Sequence, residues 1–253
     1  ESEGSLELGN VILDGKSKEN LKMTIEKVKQ NKGTPGVDKM TIQEVEEWFN
    51  QYRDDVVQQI MNKKYRPMPV KRVYIPKPNG KQRPLGIPTV VDRVIQQSML
   101  QVLSEIYEPI FSEHSYGFRP KRSAHMAMEE VLYYLNEGYE WIVDLDIEKF
   151  FDTVNHDKLI SILRENVNDS KTLHLIRAYL RAGVLDKGLI KSTTVGTPQG
   201  GPISVILSNI YLDKFDKELE SRNLRFVRYA DDCIIFVKSE MSANRVMKSV
   251  TSW

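Results

Sequence analysis

Two neighbouring aspartates, Asp231 and Asp232, stand between the apolar runs Phe226-Val227-Arg228-Tyr229 and Cys233-Ile234-Ile235-Phe236-Val237. Such runs predict strands, and the aspartates then occupy the tip of the hairpin that joins them. A turn made only to reverse the chain usually carries Asn-Gly or Asp-Gly. Two like charges side by side repel unless a cation sits between them. Asp146 supplies a third carboxylate, closing the strand-like run Trp141-Ile142-Val143-Asp144-Leu145-Asp146, in which alternation puts Asp144 and Asp146 on one face. If Asp146 meets Asp231 across adjacent strands, with Asp232 beside them, the three form an all-oxygen site suited to Mg²⁺. Two such ions about 3.5 to 4 Å apart can lower the pKa of an attacking hydroxyl and stabilise the leaving oxygen of an in-line displacement. The plainer alternatives are Asx side chains capping their own turn and Asp146 capping a helix.

The elements that must position these carboxylates are legible as periodicity. The first twenty residues carry no clear period and are expected to dock weakly. Leu21, Ile25 and Val28 have helical spacing, Asn31 to Asp38 reads as a loop, and a second helix is predicted over Thr41 to Met61. Val70 to Ile75 and Arg83 to Ile87 read as strands of a basic hairpin around Asn79-Gly80, with Pro69, Pro76, Pro84 and Pro88 confining them to an edge or to bulges. Thr89-Val90-Val91-Asp92 opens a helix to about Tyr107, and another is predicted over Ser123 to Asn136. Then come a strand over Tyr139 to Leu145, helical spacing over Asp157 to Leu163 and Lys171 to Arg181, and a tight loop at Thr197 to Gly201. Pro202 opens a helix with Ile203, Ile206, Leu207, Ile210, Tyr211 and Phe215 on one face, and the hairpin Leu224 to Val237 follows. The fold class is α+β, a sheet covered by helices on one side.

Composition narrows the field. A chain of 253 residues, 40% hydrophobic and 28% charged, is long enough to bury a sizeable core without metal or disulfide staples. Its net charge of +1 points to no polyanion, but the local distribution does. Lys63, Lys64, Arg66, Lys71, Arg72, Lys77, Lys81 and Arg83 form a run without an acidic residue, interleaved with Tyr65 and Tyr74, as suits a phosphate backbone. A single cysteine, Cys233, no membrane-length apolar run and no signal peptide lead to the expectation of a bacterial-type intracellular, cytoplasmic protein with no membrane partner. His114, His125, His156 and His174 lack metal-ligand spacing, and no G-x-S-x-G supports a hydrolase. His156 is expected to orient loop backbone, and Cys233 to be a small buried hydrophobe. Gly15-Lys16-Ser17 is no P-loop, because Asn10 stands where its first glycine is required.

Tyr229-Ala230-Asp231-Asp232 resembles the YxDD signature of reverse transcriptases, and Asp146-Ile147-Glu148-Lys149-Phe150-Phe151-Asp152 resembles their first carboxylate motif. Further blocks look like the group II intron reverse transcriptase and maturase family: Arg83-Pro84-Leu85-Gly86-Ile87-Pro88 with Asp92-Arg93, and Ser115-Tyr116-Gly117-Phe118-Arg119-Pro120 with Arg122-Ser123. Phe151-Asp152 with His156, and Thr197-Pro198-Gln199-Gly200-Gly201-Pro202 with Ser208-Asn209, complete the set. Together they cover about Val70 to Val237.

The resemblance implies an RNA-directed DNA polymerase with the fingers and palm of the right-hand polymerase fold. Residues 1–115 would be N-terminal extension and fingers, and 116–253 the palm, an antiparallel sheet backed by helices, with 155–197 returning toward the fingers. Asp146, Asp231 and Asp232 would be catalytic metal ligands, joined by the Ile147 carbonyl, for two Mg²⁺ ions or Mn²⁺ in their place. Lys77 and Arg83 would hold the incoming dNTP triphosphate, Phe151 would be the steric gate against a ribose 2′-hydroxyl, and Gln199 and Gly200 would support the nascent base pair. Lys63, Lys64, Arg66, Lys71 and Arg72 would bind RNA, and Arg119 and Arg122 would contact template phosphate or anchor their motif. The implied partners are RNA template, intron RNA, DNA primer and dNTPs, and a homodimer is compatible with the sequence. The chain departs from the family at Ser204-Val205, commonly Ser-Pro. It also stops at Trp253, without thumb or maturase domain, so weak or no synthesis is expected of it alone. The alternative from another class is a non-catalytic RNA-binding piece of a splicing cofactor.

Overall fold

The computed structural model describes residues 17–76, 80–146, 153–191, 195–196 and 200–251, with residues 17–20 and 146 described by backbone alone. Along the chain they form α1 (Ser17–Gln30), α2 (Val45–Met61), β1 (Val70–Pro76), β2 (Gln82–Ile87), α3 (Val90–Tyr107), α4 (Ala124–Asn136) and β3 (Trp141–Asp146). After these come α5 (His156–Leu163), α6 (Ser170–Arg181), β4 (Val184–Asp186), β5 (Leu189–Lys191), α7 (Pro202–Ser221), β6 (Arg225–Tyr229), β7 (Asp232–Val237) and α8 (Glu240–Val250). None of the described helices is long and apolar enough to cross a membrane. The chain divides into two compact units, Glu1–Ile106 with Phe151–Ser204, and Tyr107–Phe150 with Val205–Trp253.

In the first unit a four-stranded sheet has the order β2-β1-β4-β5. β1 and β2 pair antiparallel from Lys71↔Ile87 to Pro76↔Gln82, the expected basic hairpin. Pro84 is tolerated because β2 is an edge strand, and Pro76 because β1 meets its other neighbour, β4, only at Val70 and Lys71. The three-residue strands β4 and β5 lie below the length at which alternation can be read. Helix α3 begins on the expected capping box: Asp92 N donates to Thr89 Oγ1 at 3.2 Å, and that hydroxyl donates to Asp92 Oδ2 at 2.9 Å. The Asp92 carboxylate also accepts from Tyr65 Oη at 2.8 Å, Tyr179 Oη at 3.0 Å and Met68 N at 3.2 Å, tying α6 and the segment after α2 to α3. Burial raises the Asp92 pKa, and these donors only partly oppose it. Tyr65 is therefore an anchor, contrary to the expectation that it faces nucleic acid. Tyr74 is 44% exposed.

The second unit is built on the antiparallel sheet β3-β7-β6. The continuous apolar run of β7 buries both faces, which corrects the expectation of helices on one side only. Cys233, Ile235 and Val237 join Val143, Phe226, Phe215 and Leu219 of α7, and Ala243 and Val250 of α8, in one cluster. Val227 and Phe236 turn the other way, against Tyr116, Ala127 and Tyr134. Helix α7 has no solvent face along most of its length, because its polar Ser208, Asn209, Asp213 and Asp216 are buried as well. Buried polar residues on a helix demand partners: Asn209 and Asp216 meet theirs at the hairpin, on Arg228, and Asp213 Oδ1 accepts from Ser112 N at 3.3 Å.

Candidate active site

Tyr229 and Asp232 form the last pair of the β6-β7 ladder, leaving Ala230 and Asp231 as its two-residue tip. Strand β3 runs antiparallel to β7 with Asp146 directly across from Asp232. Residues distant in sequence thus bring three aspartates to one end of one sheet, the juxtaposition on which the reading of the acidic motif turns. Asp231 is half-buried and Asp232 exposed. Next to them Cys233 is fully buried, and its thiol is pushed up to about 12, first by burial and then by the charges of Asp216 and Asp144 against Arg228. It offers no thiolate, so the donor set is carboxylate oxygen, which fits a hard divalent cation such as Mg²⁺. Among the described residues no group of three His, Cys, Asp or Glu side chains stands ready to hold a metal. The trio at issue includes Asp146, whose side chain lies outside the description.

The tip is held from beneath by an arginine that sequence reasoning passed over as part of a strand. Arg228 points inward from β6 and, like Asp216 of α7, has no exposed side-chain surface. Its Nε and Nη2 donate to Asp216 Oδ1 and Oδ2 at 2.7 and 2.6 Å, and its Nη1 donates to Asn209 Oδ1 at 3.0 Å and to the Ala230 carbonyl at 2.7 Å. Two buried charges are tolerable only in such a satisfied network. Ala230 adopts φ +59, a left-handed backbone that costs an alanine roughly 1–2 kcal/mol and persists because its surroundings over-determine it. The missed signal was a lone arginine at an inward strand position, which demands a carboxylate, with Asp213 and Asp216 embedded in an apolar helix.

The Ser115-Tyr116-Gly117 segment completes the support. Arg228 N donates to the His114 carbonyl at 2.8 Å and Tyr116 N to the Arg228 carbonyl at 2.9 Å, so the segment lies alongside β6 as a short parallel bridge. Gly117 then abuts the tip: a Cβ there would run into Ala230 N, and the Gly117 carbonyl accepts from Asn209 Nδ2 at 2.9 Å. Arg119 is an anchor and not a phosphate contact, since its buried guanidinium donates from Nη1 to the Ser112 and Ser115 carbonyls at 2.6 and 2.8 Å and from Nε to Glu108 at 3.0 Å. Arg122 likewise binds the Glu113 carbonyl at 2.7 Å and the Glu113 carboxylate, so it too serves its own motif. Behind the segment, Glu130 of α4 accepts from Tyr134 Oη at 2.5 Å and from Tyr116 Oη, and contacts His114 Nδ1 at 2.7 Å. Burial would raise the Glu130 pKa, but the hydrogen bonds from Tyr116, Tyr134 and His114 together hold it below its ordinary value.

A family described as Reverse transcriptase (RNA-dependent DNA polymerase) matches residues 75–253, a span that contains the acidic hairpin, β3 and the segment supporting them. The chain belongs to the reverse transcriptase family. It is 40% identical over 180 residues to the group II intron-encoded protein LtrA of Lactococcus lactis subsp. cremoris, covering 71% of this chain and 30% of that relative. It is 42% identical over 170 residues to Protein YkfC of Escherichia coli (strain K12), covering 66% of this chain and 45% of the relative. The chain therefore spans less than half the length of these relatives. Among solved structures, a chain of a partial Cas6-RT-Cas1–Cas2 complex superposes with a TM-score of 0.58 at 26% identity, over 98% of this chain and 42% of that one. The resemblance to the group II intron branch and the α+β fingers-and-palm class are borne out by this family and these relatives.

Of the other site residues expected from sequence, Arg83, Gly200 and the basic run lie in the first unit. Lys77, Phe151 and Gln199, like Ile147, fall outside the described residues. Arg83 lies exposed on β2, and Lys63, Lys64, Arg66 and Lys71 are exposed with Arg72 half-buried. Gly200 adopts φ +118, and a Cβ there would lie 2.5 Å from the Gly86 carbonyl oxygen. Its close approach is thus to the backbone of β2, a structural need beside the one expected toward a nucleotide. His156 is buried and its Nε2 meets the Gly196 carbonyl at 2.6 Å, the loop-orienting part foreseen for it.

Proposed function

We propose that this chain carries the polymerase centre of a group II intron reverse transcriptase and maturase, joining dNTPs to a DNA primer on an RNA template. The observation that supports this reading is the register of β3 against β7, with residue 146 across from residue 232 and Asp231 at the adjoining tip. Asp146, Asp231 and Asp232 would hold Mg²⁺, which when bound supplies the charge that activates a primer 3′-hydroxyl and stabilises the departing pyrophosphate oxygen.

The protein's own contribution is positioning. The Arg228 network and Gly117 fix the height and angle of the hairpin tip, so that Asp231 and Asp232 are presented without reorganisation when substrate arrives. Arg83, with Lys77, carries positive charge suited to the triphosphate, and Phe151 would exclude ribonucleotides by collision with the 2′-hydroxyl. The exposed Lys63, Lys64, Arg66 and Lys71 favour a second, coexisting role in gripping intron RNA, since they hold a run of positive charge within reach of phosphate.

Primer extension on an RNA template with dNTPs and Mg²⁺ tests the reading, with Mn²⁺ binding followed by electron paramagnetic resonance as a readout independent of turnover. Asp231→Asn should abolish extension and weaken Mn²⁺ binding while leaving RNA affinity nearly unchanged. Undiminished extension by Asp231→Asn would overturn the assignment.

A further inference from the structure

In the first unit a groove of about 530 Å³ opens between the α5-α6 pair and the C-terminal end of α2. Lys63, Arg164, His174 and Arg177 line it, with Asn168 and Ser170 between them and an apolar floor that includes Ile160 and Leu173. No carboxylate is among the lining residues. These side chains arrive from separate elements: Lys63 from the turn after α2, Arg164 from the C-cap of α5, and His174 and Arg177 from α6. Two carboxylates beside the lining residues are already engaged, one of them on the groove's own Arg177. Asp169 caps α6, accepting from Lys171 N at 3.0 Å and Thr172 N at 3.1 Å, and Asp157, 79% exposed, meets Arg177 Nη1 at 2.6 Å.

Two details point to a ligand rather than to a solvated basic surface. His174 Nε2 is buried and has no hydrogen-bond partner among the described residues, and leaving such a nitrogen unpaired costs about 1–3 kcal/mol. Lys63 adopts φ +56 just past the end of α2, where glycine or asparagine is the usual residue, so a strained position presents a cation to the groove.

We propose that this groove binds the phosphodiester backbone of a folded RNA, taking a phosphate between Arg164, Arg177 and His174 while Lys63 connects it to the exposed run Lys63-Lys64-Arg66. The proposal rests on the RNA-binding part of the reading above and deepens it, because it assigns contacts to residues about a hundred positions beyond the basic run. RNA is favoured over an acidic peptide by the continuity with that run of exposed basic residues.

The test measures binding of a structured RNA to the 253-residue chain across a range of salt concentrations. Arg164→Gln/Arg177→Gln should weaken binding about tenfold or more and reduce the slope of log affinity against log salt by roughly one to two. Asp157→Asn should act in the opposite direction: it releases Arg177 from its carboxylate, and affinity should rise severalfold although an ion pair within the protein has been lost. A purely structural part for the Asp157–Arg177 pair gives the reverse sign. An unchanged slope in the double variant with circular dichroism intact, weaker binding by Asp157→Asn, or displacement by poly-glutamate but not by RNA would each overturn the proposal. Asp231→Asn separates this from the catalytic reading, since it should weaken Mn²⁺ binding yet leave RNA affinity and its salt slope at the parent values, which the groove variants should not.

Discussion

Arg228 and Asp216 meet through two parallel hydrogen bonds of 2.7 and 2.6 Å, both side chains wholly shielded from solvent, and the same guanidinium reaches 2.7 Å further to the carbonyl of Ala230 at the tip of the acidic hairpin. Removing one partner strands a buried charge, so Asp216→Asn should lower stability by about 3–5 kcal/mol in chemical denaturation. Arg228→Lys keeps the charge but not the planar fork and should also lose extension activity. The double change Arg228→Met/Asp216→Leu separates stability from positioning: it should regain much of the stability while extension stays low, because the Ala230 carbonyl has lost its donor. Full extension by the double variant would show that the network serves folding alone.

Gly117 should tolerate no side chain. A methyl group there collides with Ala230 N and lies 3.0 Å from Ala230 Cα, and both are backbone atoms that cannot rotate away. Gly117→Ala is expected to lift the hairpin tip, cutting extension by at least about tenfold, as small displacements of a reacting group do, while the melting temperature falls only modestly. Ala230→Gly relieves the left-handed strain and should leave extension near the parent level. Equal activity in Gly117→Ala and the parent protein would refute this account of the tip.

How far these relationships could be read in advance follows from the range of the forces involved. The Asp231-Asp232 pair was visible because adjacent like charges between apolar strands are costly without a cation, a local fact. The capping box at Thr89 and the Asn79-Gly80 signal are equally local, and the structure has the helix and the paired strands they announce. Arg228, Asn209 and Gly117 stand in the sequence only as parts of a strand or a motif, because their roles arise from contacts across the fold, such as the one spanning residues 117 and 209. Helix α7 misled for a related reason: hydrophobic periodicity cannot tell a solvent-facing aspartate from Asp216, which is buried on an arginine. Tyr65 and Arg119 carried the composition of a nucleic-acid surface, yet both point inward to carboxylates.

The Glu130 cluster gives the second unit an acid-sensitive joint. Its carboxyl is held below the ordinary value of 4.5 in the folded protein, so the stability it confers is complete above that value and drains away as pH falls through the lower folded-state pKa. The melting temperature of the parent protein should therefore drop more steeply than that of Glu130→Gln between neutral pH and about pH 3. Parallel curves for the two proteins would show that the tyrosine and histidine hydrogen bonds do not favour the ionised form.

Gly200 offers a parallel test in the first unit, where the loop before α7 meets β2. At φ +118 an L side chain is strained, and its Cβ would sit 2.5 Å from the Gly86 carbonyl oxygen, itself part of a paired strand at Gly86↔Arg72. Two penalties act at once, so Gly200→Ala should destabilise the unit by more than the roughly 1 kcal/mol of an ordinary glycine replacement. The loss should appear in hydrogen exchange as faster exchange at β2 and the start of α7, with the β6-β7 amides of the other unit unaffected. If instead exchange at β2 is unchanged while extension is lost, Gly200 is required for approach to substrate rather than to Gly86, and its closeness to that strand is incidental.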